Sequence, residues 1–187
     1  MAIRTLHNSF PKEGEIIGRL LTEYTNLELQ AVLNMVAVGP YSFDEIIKKI
    51  FQRMGESKRL KEIRKMGQQG YTPLLLTAEF DEAIDNIDYC REIRNQYAHS
   101  VFWDDWGDTY GFGNMEDIAQ QTAKLKDFST LPRNSIDLAT LHLQETYFEY
   151  TDLYFIWLVH DAQKRLNKPH LNRAKPPKLT KPPLCKP

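Results

Sequence analysis

Between Pro11 and Val38 the apolar positions Ile17, Leu20, Tyr24, Leu27, Ala31, Met35 and Val38 recur in steps of three and four. That spacing keeps one helical face buried and predicts a first long helix. Gly39 and Pro40 stop it, and Ser42 with Glu45 then has the spacing of a capping box ahead of Ile46, Ile47, Ile50, Phe51 and Met54. A second helix is expected there. Gly55 interrupts the pattern, SKRLKEIRKM (57–66) predicts a short basic helix, and GQQGYTP (67–73) reads as a turn-rich connection.

A third long helix begins near Thr77, with a stripe of Phe80, Ile84, Ile87, Cys90, Arg94, Tyr97 and Val101. In the next stretch, VFWDDWGDTYGFGNM, aromatic residues alternate with Asp and Gly too densely for a helix, so an extended hairpin or an ordered loop is expected. A short helix is expected over 115–128. The segment from Ser135 to Leu166 then predicts a long helix with Leu141, Phe148 and Phe155 one heptad apart. Its run LYFIWLV (153–159) is apolar all round and calls for burial in a bundle or a subunit contact. Six prolines in the twenty residues from Lys168 cannot build a core and point to a disordered or polyproline-like tail. The expected fold class is therefore all-α: a bundle of four to five helices over 11–167 with an irregular loop or small hairpin after the third long helix. An N-terminal arm (1–10) precedes it and the Pro/Lys-rich tail (168–187) follows.

Composition narrows the class of function. The 187 residues, 42% hydrophobic and 26% charged, are enough for a core without disulfide or metal staples. A net charge of −1 conceals an uneven distribution: the tail carries six basic residues and no acidic one, which leaves the rest of the chain at −7. Cys90 and Cys185 have neither the number nor the spacing of a disulfide framework or a zinc site, which fits a reducing, cytoplasmic setting. No apolar run is long enough for a bilayer, so no membrane partner is expected. Phosphate-loop, dinucleotide-binding, nucleophile-elbow and zinc-protease motifs are missing from the sequence. Neither a cofactor nor a metal is expected; Asp104, Asp105 and Asp108 lack the spacing of a calcium loop.

The chemistry-bearing stretch is REIRNQYAHS (91–100), at the end of the third long helix. Its Arg94-Asn95-Gln96-Tyr97-Ala98-His99 resembles the Arg-x4-6-His signature of the HEPN superfamily, small helical bundles that include ribonucleases of toxin and defence systems. The string IRNQYAHS is similar also to a segment of mannitol operon repressor-like proteins. The first resemblance implies metal-independent RNA cleavage in a composite cleft of a homodimer, the ribose 2′-OH attacking phosphorus and leaving a cyclic phosphate. The second implies a non-catalytic binding or regulatory protein, such as a transcriptional regulator.

The residue types suit the first implication. Histidine exchanges protons near neutral pH, so His99 is the candidate general acid or base. Arg94 offers a planar, permanently charged fork for a phosphate. Asn95, four residues before His99, could orient the imidazole or a substrate oxygen. Arg91, Ser100, Trp103 and Trp106 are candidate substrate contacts, the tryptophans by stacking on a base or by packing in a hairpin. In a regular helix, Arg94 and His99 would stand about 140° apart around the axis. Either the helix is distorted near its end or two copies combine. Arg91, Asn95 and His99, at i, i+4 spacing, share a face and form a second possible set.

Elsewhere, Lys48, Lys49, Arg53, Lys58, Arg59, Lys61, Arg64 and Lys65 could form a footprint for RNA or a solvated basic face. Glu79, Asp81, Glu82, Asp85 and Asp88 crowd the start of the third long helix and could pair with them. The expected partners are RNA, a second copy of the chain, and an antitoxin or regulatory protein.

Overall fold

Helix follows the apolar periodicity over most of the chain. The structure, a computed structural model, describes residues 10–52, 54–104, 110–115, 119 and 134–185. Five α-helices are found among them: α1 (Pro11–Val38), α2 (Phe43–Phe51), α3 (Glu56–Tyr71), α4 (Thr77–Ala98) and α5 (Leu138–Arg165). The strands β1 (Ser100–Asp104), β2 (Tyr110–Asn114) and β3 (Asn134–Ile136) form one small antiparallel sheet in that order. The all-α expectation holds, with the hairpin where the aromatic, Asp and Gly alternation placed it. Of the short helix expected over 115–128 only residues 115 and 119 are described, both helical, and most of the N-terminal arm lies outside the described residues.

Local chemistry explains where the elements begin and end. Ser42 and Glu45 close the reciprocal capping box that opens α2. The expected turn-rich connection at 67–73 is corrected, because α3 runs on through Gly67 and Gly70 to Tyr71. A Cβ at Gly67 would collide with the Phe80 ring, and one at Gly70 would come within 2.7 Å of the Val38 side chain. These glycines let helices approach rather than turn. At the other end, Asp137 accepts a 2.6 Å hydrogen bond from the Thr140 amide, so α5 starts at Leu138 and not at Ser135. The preceding residues form β3 instead. Helix α5 closes at Asn167, which takes the left-handed conformation that asparagine tolerates at a helix end.

The chain groups into two compact units. One comprises Met1–Glu23, Arg91–Phe148 and Thr180–Pro187; the other comprises Tyr24–Cys90 and Glu149–Leu179. In the second unit, Phe80, Ile84, Ile87 and Cys90 are buried as the stripe requires, and Tyr71 stacks on Phe80 with ring centres 4.6 Å apart. The Tyr71 hydroxyl donates to Asn34 Oδ1 at 2.8 Å, which satisfies two polar groups inside the core. Glu28, almost fully buried, accepts two hydrogen bonds from the Arg59 guanidinium at 3.0 and 3.1 Å. The last-helix run at 153–159 is largely buried, although Leu153 is exposed.

In the first unit the core is built from Ile16, Leu20, Ile93, Tyr97, Phe112 and Leu141. Register pairs Ser100 with Asn114, Phe102 with Phe112, and Phe112 with Asn134. Phe112 is thereby set against Tyr97, with ring centres 5.5 Å apart. The buried position on this part of α4 belongs to Ile93, not to Arg94. Steps of three from Ile87 through Cys90 reach Ile93, and a step of four then reaches Tyr97.

The Pro/Lys-rich segment, expected to be disordered or polyproline-like, carries no helix or strand up to Cys185. In the second unit, the Leu171 amide donates to His160 Nδ1 at 3.3 Å, and the Lys175 ammonium lies 5.3 and 4.9 Å from the ring centres of Tyr154 and Trp157. Lys178 pairs with Glu82 at 3.3 Å.

Candidate functional site

Helix α4 stops at Ala98, one residue before His99. A helix end leaves its last carbonyls without intrahelical donors, and the sheet supplies them here. The Asn114 side-chain amide donates to the Asn95 carbonyl at 2.8 Å, the Ser100 hydroxyl donates to the Gln96 carbonyl, and the Met115 amide donates to the His99 carbonyl at 3.0 Å. The turn from helix into β1 is thus fixed by the strand residues that follow it. His99 sits in that turn with its residue exposed, outside the regular helix that would have held it 140° from Arg94.

Arg94 and Asn95 are brought together. The guanidinium donates from Nη1 to Asn95 Oδ1 at 2.7 Å, with Arg94 half-buried and Asn95 exposed. The Asn95 amide oxygen is thus engaged by the arginine, a contact besides the expected one to the imidazole or a substrate oxygen. Restraining a guanidinium lowers the entropy it loses on binding an anion. Chemically, this helix end offers an oriented cation and an exposed imidazole, the two functions that phosphoryl chemistry without metal requires.

The other sequence candidates are more dispersed in role. Arg91 is half-buried on α4. The Ser100 hydroxyl is committed to the helix end. Trp103 is a β1 residue whose backbone pairs with Gly111, and Trp106 lies outside the described residues, as do Asp105 and Asp108. No group of three or more His, Cys, Asp or Glu side chains among the described residues is placed to hold a metal ion.

Much of the basic stretch is engaged with acids in the second unit. Lys48 pairs with Asp44 and Lys49 with Glu62, each at 2.7 Å. Arg59 pairs with Glu28, and Arg64 bonds Asp85 and lies 3.6 Å from Asp81. Arg53 lies outside the described residues. Arg64 joins the basic stretch to the acidic start of α4, whereas Lys48, Lys49 and Arg59 pair with acids outside that cluster; together these pairs weaken the face as a polyanion footprint. No helix among the described residues is long and apolar enough to cross a membrane.

Sequence reasoning passed over Gln96 and Gln144. Gln144 is fully buried, where its Oε1 accepts a 2.7 Å hydrogen bond from the Tyr97 hydroxyl and its Nε2 donates to the Pro183 carbonyl at 3.0 Å. Gln96 Nε2 donates to the Cys185 carbonyl at 3.1 Å. The available signal was a lone amide in the buried register of α5, one heptad step of three beyond Leu141.

No family model, curated protein or solved structure matches the chain.

Proposed function

We propose that the protein is a cytoplasmic, metal-independent endoribonuclease of HEPN type, a toxin or defence component that works as a homodimer. Arg94 holds the scissile phosphate, Asn95 fixes Arg94, and His99 moves the proton. The observation that carries this reading is the pair at the end of α4: a guanidinium oriented by Asn95, with an exposed imidazole in the turn beyond the last helical residue. Two copies of that helix end would assemble two arginines and two histidines around one RNA strand.

The test is cleavage of mixed RNA by the purified protein in excess chelator. Replacing the acid or base typically costs about 100-fold to 10,000-fold, so His99→Ala should abolish detectable cleavage and Arg94→Ala should reduce it severely. Wild-type protein that leaves RNA intact, or activity indifferent to both substitutions, would sink the proposal.

A second reading has its own observation. Around the same helix end, the carbonyls of Asn95, Gln96 and His99, the Ser100 hydroxyl and the Gln96 amide are used to hold the sheet and the C-terminal segment. That economy suits a non-catalytic binding or regulatory protein, similar to the mannitol operon repressor-like group. His99→Ala would then lower affinity for a co-purifying protein, with no change in RNA.

A further inference from the structure

We infer that Gln96, Tyr97 and Gln144 form a recognition site for an extended, proline-bearing peptide, and that the chain's own Thr180–Cys185 occupies it as a releasable ligand in cis.

The contacts read main chain. Gln96 faces Cys185 with both ends of its amide: Nε2 donates to the Cys185 carbonyl at 3.1 Å, and Oε1 accepts from the Cys185 amide at 3.4 Å. This is the double exchange that a hydrogen-bonded residue pair makes in an antiparallel sheet, with a side chain standing in for the neighbouring strand. Two residues earlier, Gln144 Nε2 donates to the Pro183 carbonyl at 3.0 Å. Tyr97 decides the orientation of that second amide, because its hydroxyl donates to Gln144 Oε1 at 2.7 Å and leaves the NH2 end for the ligand. The reader is pre-organised, since Tyr97 on α4 and Gln144 on α5 are both buried within the same unit.

Specificity follows from the ligand's prolines. Pro182 is buried, while Lys181 and Pro183 on either side are exposed. A Pro-Pro pair is already extended before it docks, so little chain entropy is lost on binding. Burial pushes the Cys185 thiol above its ordinary pKa, a hydrogen bond with Tyr97 partly opposes it, and the Asp137 carboxylate adds a smaller upward push. Docking therefore protects the thiol twice, by covering it and by keeping it protonated.

That protection provides the assay. The full-length chain is treated with iodoacetamide, and labelling at Cys185 and at fully buried Cys90 is resolved by peptide mapping. The reference is a synthetic peptide of Thr180–Pro187. Cys185 in the protein should react at least about tenfold more slowly than in the peptide, and Gln96→Ala should restore most of that factor, the size expected for losing a reciprocal hydrogen-bonded pair. Gln144→Ala should do the same; if it fails to fold by circular dichroism, the half-exposed Gln96 decides alone. A millimolar excess of the same peptide carrying Cys185→Ser should accelerate labelling of the wild-type protein by displacing the segment. Labelling at the free-peptide rate would show that the site is empty, and a rate unmoved by Gln96→Ala would show that the glutamine does not hold the segment. Protection that the competing peptide leaves unchanged would mean a fixed strap. Each of these three results overturns the proposal.

Discussion

A methyl group at position 67 would land on the Phe80 ring. Phe80 has no open side to retreat to, being fully buried and stacked on Tyr71. Alanine is the better helix former by about 1 kcal/mol, but overpacking a filled core costs about 1–3 kcal/mol. Gly67→Ala should therefore destabilise the protein, with a lower urea midpoint in equilibrium unfolding; a raised midpoint would mean that propensity outweighs the clash. The glycine was visible in the sequence and its purpose was not. A residue that breaks helices in isolation is also one that lets two of them touch, and only the position of Phe80 tells these apart. Arg94 teaches a related point. Its place on the apolar stripe and that of Ile93 differ by one residue, or 100° of helix, and a period of 3.6 permits either until the packing partners are known.

Elements with complete local signals were legible. The capping box of α2 and the long periodic stretches that became α1 and α4 follow from spacing alone. β3 is three residues long, too short for an alternating pattern, and it exists because β2 offers an edge to pair with. Contacts between α4, α5 and the C-terminal segment also set the titration of Glu82. The Tyr154 hydroxyl donates to its carboxylate at 2.7 Å, and with Lys178 and Lys175 nearby this holds the carboxyl below its ordinary pKa, against the opposing effect of burial. A carboxyl whose folded pKa is depressed contributes stability above its unfolded pKa and loses it as pH falls through the folded value. Tyr154→Phe should bring the Glu82 pKa back up toward the carboxylate norm in an NMR titration, and should flatten the loss of stability on acidification. An unshifted Glu82 resonance profile would contradict this account.

Across the whole molecule, composition separated the basic tail from the acidic remainder correctly as sequence, but it carried no sign of where the tail goes. Low hydrophobicity predicts that a segment cannot make its own core; it is silent on whether other residues will receive it. Tyr154 and Trp157 receive Lys175, Glu82 receives Lys178, and Gln96 and Gln144 receive the residues around Pro183. The amide and cation–π contacts each contribute about 0.5–1.5 kcal/mol, and the solvent-screened Lys178–Glu82 pair less. Ending the chain at Asn167 should therefore lower the melting temperature by at least about 5 °C, measured by circular dichroism. An unchanged melting temperature would show the segment to be energetically idle. The candidate site was half legible in the same sense. Arg94, Asn95 and His99 stood out by residue type, whereas the donors that shape their helix end come from Ser100, Asn114 and Met115, which carry no motif.

Because Gln96 grips Cys185 by its main chain, that pairing does not itself read the side chain at position 185, and the covered thiol sets only how large that side chain can be. One residue type is barred, since proline would remove the amide that Gln96 Oε1 accepts. Small side chains at this position keep the grip so long as the amide survives. The segment's spelling thus lies as much in where its prolines stop as in where they fall, and a Lys-Pro-Pro repeat followed by two residues with free amides is grammatical where an unbroken proline run would be illegible.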